Sequence, residues 1–348
     1  MAISPRMKVM AGVAVGLSLL LLALGVYTFR FPSVTLPRVS GTVHQGKLEV
    51  GGRDRSFCFY LPRSVERHPA LLLVLHGSTM DGAAMRRQTL YGFDVIADRE
   101  GFIVVYPDGY ENHWNDCRVA GDYEAKRLGI DDVSFLRALV DGFVEQYGVA
   151  RERVFATGVS NGGQMAFRLA LEAPDLVRGI AAIAASLPTT ENQACVPVGR
   201  PVAVMVINGT ADPMNPFEGG KVALFGLLYS RGTVQSTMAT VRYWAKLAGY
   251  SGEPSSEFLP NRDPGDGTIA RRWAWSAGNR PDVVLVEVQN GGHTIPLPQD
   301  TVPRILGRTS HDFSACEETW RFFKSAERKG LAAVVTSAPR NTTTLPSP

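Results

Sequence analysis

The chain has 348 residues, 45% of them hydrophobic, with 36 Lys and Arg against 33 Asp and Glu. That length suits one large α/β unit or two small domains, and a net charge of +3 without a basic run excludes an electrostatic nucleic-acid binder. The 35 Gly and 22 Pro are spread along the chain, which indicates many tight connections and rules out collagen-like, coiled-coil, disordered and multi-span membrane classes.

Residues 1–30 stand apart. Arg6 and Lys8 precede an uncharged run from Val9 to Phe29, followed by Arg30 and the linker 31–39. A run of about 20 apolar residues can cross a bilayer as a helix, and the positive flank keeps its amino end cytoplasmic. Small residues at Ala23 and Gly25 offer signal-peptidase cleavage as the alternative. Either way the body is expected to be exported, free outside the cytoplasmic membrane or tethered to its outer face.

From residue 40 to 328 the pattern alternates strand and helix. Strands are predicted at Ser56–Leu61, Ala70–Leu75, Phe102–Tyr106, Arg153–Thr157, Gly179–Ala184 and Val202–Ile207, each a short apolar run bounded by Gly, Pro or a charge. Helical periodicity falls near Ala83–Asp98, Asp131–Tyr147, Gly162–Glu172 and Thr233–Ala248. Continuous apolar strands separated by helices predict a mostly parallel, doubly wound sheet covered on both faces. Two late strands, Thr268–Trp275 and Val283–Gln289, follow a surface loop at Glu253–Gly267. The chain then closes on a helix whose Phe313, Cys316, Trp320 and Phe323 share one apolar face. The tail 329–348 lacks periodicity and is expected to be disordered.

Gly158-Val159-Ser160-Asn161-Gly162 reads G-x-S-x-G between a strand and a helix, the setting of a nucleophile elbow. Such a turn lifts the Ser160 hydroxyl to the carboxyl edge of the sheet and aims the Asn161 N–H at the same point. A serine hydroxyl needs a base beside it and a carboxylate to orient that base, in the chain order Ser, acid, His. Of the later histidines, His293 follows an apolar strand in a glycine-rich loop, whereas His311 opens the closing helix. Asp212 directly follows a strand, unlike Asp263, Asp266 and Asp282, so Ser160, Asp212 and His293 are the expected catalytic set.

A second oxyanion donor is expected after the LLLVL strand, at the Ser78 N–H with Thr79 as its possible replacement, while His76 braces that loop without moving protons. Trp114, Asn115 and Thr79 are candidate substrate contacts, a packed loop anchor being the alternative for the first two. Asp131 and Asp132 read as carboxylates at a helix amino terminus, not as metal ligands. No metal or cofactor is expected.

The segments LLLVLHGS, FIVVYPDG, WNDC, RVFATGVSNGGQMAFRLA, INGTADPMNP, NGGHTIP and ACEETWRFF occur in order across residues 45–325. They resemble the esterases related to polyhydroxybutyrate depolymerase and feruloyl esterase, in the α/β-hydrolase superfamily. The resemblance implies carboxylic-ester hydrolysis by Ser160, Asp212 and His293 in a usually secreted enzyme, acting on small or polymeric esters. Peptide or thioester cleavage on the same residues, and an inactive binding module, are the rival readings. The stretch Phe217–Gly232 is longer than the short link expected after the acid loop. Four cysteines in an exported chain suggest two disulfides among three possible connectivities. Cys117 and Cys195 both follow strands at the carboxyl rim and are paired here. Cys58, on an early strand, is paired with Cys316 on the closing helix, four buried free thiols being the alternative.

Overall fold

The computed structural model describes residues 17–20, 22–228 and 230–337, the last eight by backbone alone. Twelve strands form: β1 (Thr42–Val50), β2 (Arg53–Leu61), β3 (Leu71–Leu75), β4 (Ile103–Pro107), β5 (Val154–Val159), β6 (Gly179–Ile183), β7 (Ala203–Gly209), β8 (Gly220–Lys221), β9 (Thr233–Val234), β10 (Ser255–Phe258), β11 (Ile269–Trp275) and β12 (Val283–Gln289). Ten of them make one sheet in the order β1-β2-β4-β3-β5-β6-β7-β12-β11-β10. The centre, from β4 to β12, is parallel, and the flanking strands are antiparallel.

Strand alternation explains the two cores. In β3, Leu71, Leu73 and Leu75 enter one apolar cluster while Leu72 and Val74 enter the other. The helices Asp132–Tyr147, Asn161–Glu172 and Thr237–Leu247 cover the first face. Gly82–Gln88, Gly92–Glu100 and the closing helix Ala315–Ser337 cover the second. Each fully buried Leu, Val or Phe contributes roughly 1.5–3 kcal/mol by leaving water, so a sheet buried on both faces needs no amphipathic signature. Trp320 and Phe323 are core residues as expected, Trp320 stacking on Phe102 with ring centroids 3.6 Å apart.

Several expectations are corrected. The single helix predicted at Ala83–Asp98 is two, broken where Leu90 and Tyr91 take positive φ angles of 53° and 54°. Edge strands β1 and β10 were not foreseen because each pairs on one side only and stays largely exposed, so neither carries an apolar run. The closing helix continues to Ser337, past the boundary expected at 328. Residues Gly330–Ser337 (GLAAVVTS) include good helix formers and no proline, so a helix already nucleated on the core propagates through them. The remainder of the expected disordered tail, 338–348, lies outside the described residues.

Cys117 and Cys195 form the disulfide, but Cys58 and Cys316 are free and buried. Helix Gly82–Gln88 packs on β2, and the Cys316 sulfur points to the Thr89 carbonyl and lies against Gly92 at the turn that follows. Burial pushes the Cys58 thiol up to about 12 and the Cys316 thiol higher still, so neither supplies a thiolate near neutral pH.

At the amino end, residues 1–16 and 21 of the expected anchor or signal lie outside the described residues. Residues 17–20 and 22–29 are helical, with Leu19, Leu20 and Leu22 exposed. No helix among the described residues is long and apolar enough to cross a membrane. The linker 31–39 lies on the body: Thr35 exchanges two hydrogen bonds with Gln299, and Val34, Leu36 and Val39 pack on the core.

Candidate active site

β5 delivers Ser160 into a turn with φ 53° and ψ −116°, a strained conformation outside the regions L-residues prefer. The turn is held by the Ser160 N–H, which donates to the Ile183 carbonyl at 2.8 Å, and by the Gln164 N–H, which donates to the Ser160 carbonyl at 2.9 Å. A side chain at Gly162 would run into the carbonyls of Leu75 and His76, so only glycine lets the elbow helix cross β3 this closely.

The Asn161 N–H opens that helix and has no acceptor among the described residues, as is true of the Ser78 N–H. Both point-of-entry donors predicted for an oxyanion are therefore uncommitted. Thr79 is different. Its N–H donates to the Asn112 carbonyl at 2.9 Å and its hydroxyl to the Ser78 carbonyl at 2.6 Å, so its N–H does not replace that of Ser78 and both its donors are already committed. His76 is the brace foreseen: its Nδ1 bonds the Gly77 carbonyl at 2.7 Å, and its Nε2 accepts the Gly109 N–H at 2.8 Å. Those partners require the neutral tautomer, and burial lowers its pKa accordingly.

Asp212 and His293 come together at the carboxyl ends of the paired strands β7 and β12. Nδ1 of His293 bonds Oδ2 of Asp212 at 2.7 Å, and Oδ1 of Asp212 accepts the N–H groups of Met214 at 2.7 Å and Asn215 at 2.8 Å. The Gly291 carbonyl occupies the space a side chain on Gly209 would need, which lets the two loops touch. The imidazole is 9% exposed, and the His293 N–H donates to the Leu306 carbonyl at 2.7 Å. Ser160 stands at the same edge, two strands away from β7, and its hydroxyl has no hydrogen-bond partner among the described residues. Resting sites often tighten that contact only when substrate arrives.

Trp114 and Asn115 are not walls of the site. Trp114 is completely buried, its indole N–H donating to the His76 carbonyl at 3.0 Å, because the ring fills the core beneath the elbow. The Asn115 side chain donates to the Ile130 carbonyl at 2.8 Å, and its backbone N–H donates to Asp132 at 2.7 Å. Asp132 is itself paired with Arg55 at 2.6 Å, so it orders this loop, while Asp131 caps its helix through the Ser134 N–H.

The sequence reading missed the polar groups under the elbow. The Asn161 side chain accepts the Trp114 N–H at 2.8 Å and donates to Asp116 at 2.6 Å. Asp116 is buried with Arg118 at 2.5 Å and also accepts from the Tyr123 hydroxyl at 2.8 Å. Asn208, an amide inside the apolar strand β7, donates to Thr237 and Ser186 at 2.8 and 3.1 Å, and the same Ser186 hydroxyl accepts from Asn215 of the acid loop at 3.3 Å. For Asn208 the signal in the sequence is a polar residue inside an apolar run; the loop residues Asp116, Arg118 and Tyr123 carry no such signal.

The disulfide joins this network to the loop after β6, since Cys117 adjoins Asp116. Reducing it is expected to lower stability by about 2–4 kcal/mol in urea titrations. An unchanged midpoint would show that the bridge is idle.

His311 does not reach the site. It binds Asp263 at 3.1 Å and Asp300 at 3.2 Å, tying the 260–268 loop to the segment after His293. Burial opposes its charge, but the two carboxylates outweigh burial and raise its pKa. Below the ordinary histidine pKa of about 6.5 the stabilisation is complete; it is lost as pH rises through the raised value. His311→Asn should therefore flatten the fall in urea midpoint above about pH 6.5, and an identical pH profile would contradict the bridge. Asp263, Asp266 and His311 also lie close enough to hold a cation, but hydrogen bonds within the cluster and to neighbouring backbone occupy them.

A doubly wound sheet with a serine elbow and a joined acid and imidazole at its carboxyl edge defines an α/β-hydrolase, and the relatives place it among carboxylic-ester hydrolases. The Esterase PHB depolymerase family model matches residues 55–215. A protein described as an esterase, NocK of Nocardia uniformis subsp. tsuyamanensis, is 31% identical over 81% of this chain and 82% of its own length. The chain belongs to the PHB depolymerase esterase family. The poly(3-hydroxybutyrate) depolymerase of Ralstonia pickettii is 32% identical over 43% of this chain and 33% of its own. In fold, the acetyl xylan esterase from Aspergillus awamori superposes with a TM-score of 0.53 at 17% identity, covering 74% of this chain and 96% of that one.

Proposed function

We propose that this carboxylic-ester hydrolase is an exported serine esterase working through an acyl-enzyme. The carrying observation is the 2.7 Å bond between His293 Nδ1 and Asp212, which orients the imidazole and leaves Nε2 without a hydrogen-bond partner among the described residues, available as a base. In this reading Ser160 Oγ attacks the ester carbonyl while His293 Nε2 takes its proton. The N–H groups of Asn161 and Ser78 receive the developing oxyanion. His293 then protonates the leaving alcohol, and a water repeats the sequence to release the acid. Acetyl, feruloyl and hydroxyalkanoate esters are the candidate substrates, since relatives carry the names acetylxylan esterase, feruloyl esterase B and poly(3-hydroxybutyrate) depolymerase.

Export is supported by the apolar amino-terminal run behind Arg6 and Lys8 and by the Cys117–Cys195 bridge. An anchored form would keep the run; a secreted form would lose it. A fluorophosphonate probe tests the chemistry directly. It should label the protein at Ser160, and labelling that survives Ser160→Ala would overturn the assignment.

A further inference from the structure

The long insertion after the acid loop carries Arg231, which makes no ion pair among the described residues. The Arg231 N–H donates to the Val222 carbonyl at 2.9 Å, closing a hairpin whose other arm hangs from the acid loop. There the Ala223 and Phe225 N–H groups donate to the Met214 and Pro213 carbonyls at 3.2 and 2.8 Å. From this hairpin the Arg231 guanidinium reaches over the Tyr123 ring, 4.9 Å from its centroid. Tyr123 in turn bonds Asp116, the residue that holds the Asn161 side chain. Arg231 thus links the hairpin that hangs from the Asp212 loop to the Tyr123 ring, whose hydroxyl shares Asp116 with the Asn161 side chain.

The local charges do not balance. Asp116 is already shared by Arg118 at 2.5 Å and by the Asn161 amide, and Lys126 donates to its backbone carbonyl at 2.5 Å. Asp122 is paired with Arg127 at 2.7 Å. His113 stacks on the same Tyr123 ring, at 4.8 Å, and adds no negative charge. The guanidinium of Arg231 has no hydrogen-bond partner among the described residues, though it is only partly exposed. Burial, and after it the charge of Arg118, disfavours its protonated form relative to an ordinary arginine. A half-buried cation beside like charges is costly until an anion meets it, and a guanidinium fork suits a carboxylate.

We propose that Arg231 is a specificity residue that receives a carboxylate of the substrate, so that the enzyme prefers esters carrying a second, anionic carboxyl group. Half-esters of dicarboxylic acids and hydroxyacid esters with a free carboxylate are the class that fits. The proposal rests on the reading of Ser160 as nucleophile, because that reading defines where the scissile ester lies.

Two p-nitrophenyl esters of similar length test it: the neutral butyrate and the anionic hydrogen succinate. Wild-type enzyme should favour the anionic ester, less so as salt is raised. Arg231→Met should cut its kcat/KM relative to the butyrate about 10–100-fold, mainly through KM, and Arg231→Lys should restore part of the preference. Equal losses on both esters, or an unchanged ratio, would overturn the proposal. Failure of the wild type on both esters would instead remove the Ser160 reading. Arg231 would still be decided by calorimetry with monomethyl glutarate on Ser160→Ala and on Ser160→Ala/Arg231→Met. Binding about 10–100-fold weaker in the second protein supports the subsite, and equal or absent binding rejects it.

Discussion

Ser160→Ala is expected to lower kcat on a simple p-nitrophenyl ester by about 10⁶-fold, the scale seen when one member of a serine triad is removed. The hydroxyl makes no hydrogen bond among the described residues, so the variant should fold and melt like the parent. In the proposed mechanism Ser160, Asp212 and His293 act as a unit, so adding His293→Ala should cost almost nothing further. Independent, multiplying losses would mean that the two residues do not share a proton. Retained turnover above about one part in a thousand would assign the chemistry to another nucleophile.

Asp116→Ala carries the largest expected cost in stability. The carboxylate is buried with Arg118, and it also accepts from Tyr123 and from the Asn161 amide. Removing one partner of a buried pair leaves the other charge uncompensated, at about 3–5 kcal/mol. Urea unfolding measures this directly, and a loss under about 1 kcal/mol would show that water relieves Arg118. The pair Asp116→Asn with Arg118→Met should recover much of the stability, since it removes both charges together. Activity should not recover to the same degree. An asparagine at 116 keeps a single neutral oxygen for the Asn161 amide, the Tyr123 hydroxyl and the residue-118 N–H, which now share two carboxylate oxygens, so the hold on Asn161 and the direction of its own N–H weaken. A double variant with full kcat would separate the network from the elbow.

Much of the site is legible along the chain because its chemistry is local to three loops. Gly158 to Gly162 announces a strained turn, and Asp212 and His293 each follow an apolar strand at a point where the fold places carboxyl-edge loops. The central strands β3 to β7 declare themselves for the same reason: burial on both faces demands short runs of mostly apolar and small residues without charges. Trp114 and Asn115 show where such reading stops. An aromatic and an amide on a rim loop suggest substrate contact, yet the structure turns both inward, to the His76 and Ile130 carbonyls. Cys58 and Cys316 fail in the same way, since an even cysteine count says nothing about which helix turn lies beside each sulfur.

The amino-acid order alone thus determined the class of sheet, the elbow, and the carboxylate and imidazole that join at the same sheet edge, because each depends on short-range pattern and on chain order. Only the tertiary structure decided which way rim side chains face, which cysteines meet, how Asp116 braces Asn161, and that the Arg231 guanidinium lies over Tyr123 with no hydrogen-bond partner among the described residues. Those outcomes depend on groups far apart in sequence sharing one dry space, where pairing and burial are settled by packing and not by neighbours along the chain.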